Sequence, residues 1–168
     1  INLRPGDYIL TAYNPVNGEQ KGVNITVKSL IVQNDLTKYY LNASRFQATI
    51  YNKVGSLAVN KNVTFNINGV FYIRTTDSNG VVSLAINLRP GDYIITTIFD
   101  GLDIGNKVTV LPTLVTKDLN MKYMDGSNFT AQVLDGKGTP LANQTVSFNV
   151  NGVFHHRITN EDGIASLR

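Results

Sequence analysis

His155 and His156 are the only histidines in the chain, and they are adjacent. Imidazole is the usual general base near neutral pH and the commonest metal ligand. The flanking pattern is that of a strand, which sends neighbouring side chains to opposite faces. The pair therefore does not converge on one metal ion. There is no cysteine and no tryptophan, so disulfides, thiolate metal sites and a cysteine nucleophile are excluded. Asp77-Ser78-Asn79-Gly80 is rich in oxygen ligands but lacks the terminal bidentate acid of a calcium loop. No acid pair, nucleophile or phosphate-binding loop recurs along the chain. The expectation is a protein that is not an enzyme and holds no cofactor or metal.

A second kind of chemistry is better represented. Five Asn-x-Ser/Thr sequons begin at Asn24, Asn42, Asn62, Asn128 and Asn143. They are acceptor sites for N-glycosylation in a secreted chain. The composition holds 20 Asn and 24 Ser plus Thr, which yields roughly three sequons by chance. Asn143 aligns with Asn60, two residues before Asn62. The Asn62 and Asn143 sequons are therefore expected on the same outward face of equivalent strands.

Charge narrows the partners. The net charge is +3, and charged residues make up 16%, against about a quarter in an average domain. The basic residues are scattered and form no patch of the kind that neutralises phosphates. No nucleic-acid partner is expected. No apolar run reaches the roughly 20 residues of a membrane span.

The elements that position these residues follow from repetition. INLRPGDYI occurs at residues 1–9 and again at 86–94. VTFNINGVF at 63–71 returns as VSFNVNGVF at 146–154. The offsets are 85 and 83 residues, and together they equal the chain length. The difference falls in the loop segment 12–22 against 97–105. The 83-residue offset also carries Asp35 onto Asp118, Tyr40 onto Tyr123, Phe46 onto Phe129 and Arg74 onto Arg157. The tail Ser166-Leu167-Arg168, placed before Ile1, rebuilds the internal strand Ser83–Tyr93. Residues 1–28 are thus read as the C-terminal part of one repeat, and 29–111 as a complete repeat. Residues 112–168 are read as the N-terminal part of a further repeat, completed by residues 1–28 of the next copy.

Within a repeat the period is two. Val63, Phe65 and Ile67 alternate with Asn62, Thr64, Asn66 and Asn68. Strands are expected near 30–33, 36–40, 45–51, 62–67, 70–75, 81–87, 92–98 and 105–110. Asn68-Gly69 and Asn151-Gly152 fit type I′ hairpin turns. Arg-Pro-Gly-Asp predicts a type II turn with Gly6 or Gly91 at its third position. Tyr8 and Tyr93 lie three residues beyond Pro5 and Pro90. They fit a tyrosine corner, in which the hydroxyl reaches back to upstream backbone. Asp7, Asp92, Asp35 and Asp118 read as caps of turns and strand ends. The fold class is all-β: tandem antiparallel β-sandwiches with Greek-key connections. Val27–Ile31 and Val108–Leu114 contain no flexible Gly/Ser spacer, which implies a stiff succession of repeats.

Gly138–Phe148, the Thr159…Asp162-Gly163 turn and the LRPGDY corner resemble bacterial and archaeal Ig-like repeats, of the invasin and Cna-B stalk types. The Asn-rich, Cys-free composition is similar to adhesin-like surface proteins of methanogenic archaea. The resemblance implies an extracellular or cell-surface stalk, adhesin or fibre whose neighbours are further copies of the same repeat, with covalent glycans. It also raises the Cna-B isopeptide bond, from which this sequence departs. Lys38 aligns with Met121, Lys53 with Gly136 and Lys61 with Gln144, so no lysine is shared. The alternative reading is a glycan- or receptor-binding module, for which Tyr39, Tyr40, Tyr51 and Tyr72 are the candidate exposed platforms.

Overall fold

The computed structural model describes all 168 residues. The chain is all-β, with sheets of the β-sandwich type. In chain order the strands are β1 (Gly6–Tyr13), β2 (Gln20–Val27), β3 (Ile31–Gln33), β4 (Leu36–Tyr39), β5 (Arg45–Ile50), β6 (Asn62–Ile67), β7 (Val70–Thr75) and β8 (Val81–Ala85). There follow β9 (Gly91–Phe99), β10 (Leu102–Leu111), β11 (Leu114–Thr116), β12 (Phe129–Val133), β13 (Thr145–Val150), β14 (Val153–Ile158) and β15 (Ile164–Leu167). All eight strands expected between residues 30 and 110 are present, and only the start of β10 differs by more than two residues.

The chain forms two compact units. The first holds Ile1–Asn34, Gln47–Ser83 and Thr96–Gly105; the second holds Asp35–Phe46, Leu84–Ile95 and Asn106–Arg168. Strands β5, β8, β9 and β10 contribute residues to both.

In the first unit, β1 and β2 pair only with each other, from Gly6 opposite Val27 to Tyr13 opposite Gln20. A six-residue loop joins them, whereas Asp100 and Gly101 alone join β9 to β10. The length difference between the repeats therefore sits in this turn. The β6–β7 hairpin turns on Asn68 and Gly69, with φ of 53° and 75°. Both values are positive, as a type I′ turn requires.

In the second unit, β13 and β14 repeat that hairpin around Asn151 and Gly152, with φ of 50° and 90°. β11, β12 and β15 form a three-stranded sheet. Ala131 and Ala165 of this sheet and Phe148 of β13 form a buried cluster, flanked by Phe129, Val146 and Leu167. The Phe129 and Phe148 rings meet edge to face at 5.7 Å, a favoured aromatic geometry.

The remaining sheets have the orders β3-β5-β8 and β4-β10-β9-β6-β7. Buried residues alternate along their strands: Phe46, Ala48 and Ile50; Val63, Phe65 and Ile67; Val82 and Leu84; Ile95 and Thr97; Val108 and Val110. One face of each of these five strands leaves water, and this alternation fixes register, since a one-residue slip would exchange the two faces.

One expectation is refined and one is corrected. β4 runs parallel to β10, with Leu36 opposite Val108 and Tyr39 opposite Leu111, so the sheets are not wholly antiparallel. The chain leaves one sheet after β3 and enters the other at β4. There Asp35 accepts bonds from the Asn106 side chain at 2.8 Å and the Lys107 N–H at 2.9 Å. The Arg-Pro-Gly-Asp segment is not a type II turn. Gly6 and Gly91 have φ of 152° and 153° and already begin their strands, whereas a type II turn needs about +80° there. The reason is the tyrosine that follows. Its ring lies over the glycine, so that a Cβ on Gly91 would stand 3.4 Å from the Tyr93 Oη. That φ region belongs essentially to glycine.

Candidate functional site

The two copies of the LRPGDY segment carry the same pair of polar bonds. Tyr8 Oη donates to the Arg4 carbonyl at 2.8 Å, and Tyr93 Oη to the Arg89 carbonyl at 2.8 Å. Thr26 donates to Asp7 and Thr109 to Asp92, both at 2.7 Å across paired strands. The Thr109 hydroxyl, then the Lys107 charge, holds the Asp92 carboxyl below its ordinary range. Asp35 is held low by the Asn106 amide and then the Lys107 N–H. Asp35 therefore caps a strand end, while Asp7 and Asp92 tie paired strands together. Asp77 has the same kind of task. Its Oδ1 accepts the N–H groups of Asn79 and Val81, both at 2.9 Å. Asn160 does likewise for Asp162 and Ile164.

The sequons occupy unlike settings. Asn24, Asn62, Asn128 and Asn143 are exposed. Asn62, in β6, accepts a bond from Thr75 Oγ1 at 3.1 Å. Asn143 corrects the sequence reading. It stands before β13, with φ of 58°, so it belongs to a turn and not to the outward face of a strand. Its N–H donates to the Thr159 carbonyl at 3.0 Å. Asn42 is half-buried. Its Nδ2, the atom a glycan would occupy, donates to the Gly136 carbonyl at 2.6 Å, while its Oδ1 accepts the Ser44 N–H at 2.9 Å.

Asn42 thereby marks a contact that sequence reasoning missed. The Asp135–Thr139 turn closes on itself, with Asp135 N–H bonded to the Thr139 carbonyl at 2.8 Å. The Asp135 carboxylate accepts the Lys137 and Thr139 N–H groups. Gly136 receives Asn42, and Gly138 lies against the Tyr39 ring so closely that any Cβ there would fall inside it. On either side of Pro112, Tyr40 N–H reaches the Leu111 carbonyl and Leu134 N–H reaches the Thr113 carbonyl, both at 2.8 Å. The equivalent loop 52–56 has the same internal bond, Asn52 N–H to the Ser56 carbonyl at 2.8 Å. A Cβ on its Gly55 would meet nothing within 4 Å.

No protein-family profile matches the sequence, and no match is found among curated proteins. Solved structures do resemble it. Domains 1–6 of the surface layer protein SbsC align over 97% of this chain and 26% of that one, at 13% identity and a TM-score of 0.39. A Ca2+-stabilized adhesin with which an Antarctic bacterium binds ice aligns over 95% and 47%, at 18% identity and 0.33. The Bacteroides ovatus glucan-utilization protein SGBP-B, in complex with a mixed-linkage heptasaccharide, aligns over 98% and 50%, at 16% identity and 0.33. The chain spans between a quarter and a half of the length of these proteins. No residue correspondence follows from likenesses this low.

The other candidates are placed as follows. His155 and His156 lie on β14 opposite Phe148 and Ser147, and His156 Nδ1 is 2.8 Å from Ser147 Oγ. Arg74 bonds the Ile73 carbonyl and lies 5.8 Å from the Tyr72 ring centroid. Arg4 pairs with Asp103 at 3.3 Å on the surface, an arrangement worth little in stability. Tyr39, Tyr40, Tyr51 and Tyr72 are half-buried, not exposed platforms. Lys38 is buried, and its ammonium donates to the Ser44 and Ile86 carbonyls at 3.0 and 2.8 Å. Burial lowers its pKa.

Proposed function

We propose that the chain is a structural segment of an extracellular, cell-surface stalk or fibre, in which head-to-tail Ig-like repeats set distance and direction and no substrate bond is made or broken. The observation that carries this reading is the pinned junction around Pro112. Asn42 and Tyr39 seat on the Asp135–Thr139 turn, and backbone bonds flank the proline on both sides. A flexible linker would need none of these contacts. The recurrence of the tyrosine corner, at the same 2.8 Å in both copies of LRPGDY, supports a repeated building unit. N-glycans on the exposed sequons would shield the sides of such a stalk.

Electron microscopy of native material tests it. The longer strands, of 6–10 residues, at roughly 3.3 Å per residue and with end loops, give ~35–40 Å per repeat along the axis. A beaded filament with that period is the expected result. Discrete particles without an axial repeat would overturn the reading.

A further inference from the structure

Strand β7 closes the five-stranded sheet β4-β10-β9-β6-β7, with β6 on one side and no strand on the other. Its sequence, Val-Phe-Tyr-Ile-Arg-Thr, is β-branched and aromatic, with one charge and no proline or glycine. Its counterpart 83 residues on is β14, Val-Phe-His-His-Arg-Ile, which pairs only with β13. The parity of the hydrogen bonds tells which main-chain groups stay open. Just past β7, Thr76 N–H donates to the Lys61 carbonyl at 2.9 Å. Every second pair from there to the turn then exchanges main-chain bonds: Val63 with Arg74, Phe65 with Tyr72, Ile67 with Val70. Phe71, Ile73 and Thr75 therefore turn their N–H and carbonyl groups away from β6, along the open edge. The same count starts from Thr159 N–H on the Gln144 carbonyl at 2.9 Å. It leaves the main-chain groups of Phe154, His156 and Ile158 open on β14.

An open edge of this composition is a template for another strand. The same edge of a second copy, laid antiparallel, matches it. Phe71 and Ile73, 62% and 63% exposed, would then fall on one face in both copies. One side chain breaks the template in each repeat. Arg74 stands on the sheet face that carries the buried Val63, and its guanidinium lies 5.8 Å from the Tyr72 ring centroid. From there its Nη1 donates to the Ile73 carbonyl at 2.7 Å. Arg157 Nη1 donates to the His156 carbonyl at 2.8 Å. In both strands the carbonyl taken is the middle one of the open edge. A strand drawing up to that edge must break this bond and cover a guanidinium that stays charged at every working pH. An inward-turned charge is a known way of blunting a sheet edge. We propose that Arg74 and Arg157 guard the edges of β7 and β14 against antiparallel pairing with the same strands of a second copy. Neighbouring molecules are thereby kept from zipping together side by side.

Sedimentation velocity of full-length variants tests this. Arg74→Ala combined with Arg157→Ala opens both edges. The expected result is reversible association at a concentration about tenfold or more below that of the wild type, since each contact no longer has to break two such bonds. Arg4→Ala combined with Arg89→Ala removes two charges elsewhere and should sediment as the wild type does. A third chain adds Ile73→Pro and His156→Pro to the Arg74→Ala, Arg157→Ala pair. Proline at these positions removes an N–H that points away from the hairpin partner, so the ladders to β6 and β13 survive while the edges close. This chain should return to wild-type sedimentation. Three results would overturn the proposal: no added association on losing Arg74 and Arg157, an equal gain in the Arg4→Ala, Arg89→Ala chain, or association that the two prolines leave intact. Aggregation of a misfolded chain belongs to the last of these, because closing the edges would not relieve it.

Discussion

The hydroxyl of Tyr93 is the clearest single atom in the sequence pattern. It is legible because LRPGDY occurs twice, and its partner is the Arg89 carbonyl at 2.8 Å. Tyr93→Phe keeps the ring over Gly91 and removes only that bond. The expected loss is about 1 kcal/mol, read as a lower urea midpoint by circular dichroism; an unchanged midpoint would mean the bond contributes nothing. Asp35 makes a prediction with a sign. Its carboxyl is held below 3.8 by the Asn106 amide and the Lys107 N–H. As pH falls, the unfolded chain takes up the proton first. The stabilisation is therefore complete above about pH 4 and is lost as pH drops through the folded value. Asp35→Asn keeps an oxygen acceptor without the titration. Its midpoint should fall less between neutral and acid pH than that of the wild type, and an equal fall would assign the effect to other acids. Asn42 shows where reading residues singly fails. Its sequon is indistinguishable from the other four, yet its Nδ2 is committed to Gly136. That commitment depends on a backbone 94 positions away, which no local pattern reveals.

At the scale of elements, hairpins are legible in the sequence and crossings are not. Asn-Gly between alternating runs dictates the β6–β7 and β13–β14 turns, because both residues need positive φ. The direction of β4 is not dictated by its own residues. A short strand takes its direction from the edge that receives it, here β10. The Arg-Pro-Gly-Asp segment misleads for a related reason: its residues suit a type II turn, but the tyrosine two positions past the glycine draws the backbone straight. Gly138 and Gly55 give a matched pair of experiments. They are equivalent glycines with φ of 84° and 87°, and only Gly138 is pressed by a ring. Gly55→Ala should cost about 1 kcal/mol, the strain of a left-handed residue alone. Gly138→Ala should cost roughly 2–4 kcal/mol, since Tyr39 must also move. Equal losses in calorimetry would show that Tyr39 yields without penalty.

For the whole molecule, the repetition is plain in the residues themselves, since identical nonapeptides 85 residues apart leave little choice of architecture. The junction is not, because Tyr39 and Gly138 have no repeated equivalents in contact: a Cβ on Gly55 would meet nothing within 4 Å. The parallel pairing of β4 with β10 has one more consequence, and it is mechanical. In the repeat read from the sequence, Leu36–Tyr39 stand near the start and Val108–Leu111 at the end. Tension applied through those two ends drags the strands past each other along their shared direction. Their hydrogen bonds then resist together, in shear, instead of parting one after another as in a peeled hairpin. Asp35 fastens one end of the pair and the Tyr40–Leu111 bond the other. In single-molecule pulling, Thr37→Pro, which interrupts β4, should lower the rupture force of residues 29–111. An unchanged force would place the resistance elsewhere. The parallel pair would then act as a clamp, holding as one unit when its two ends are pulled apart.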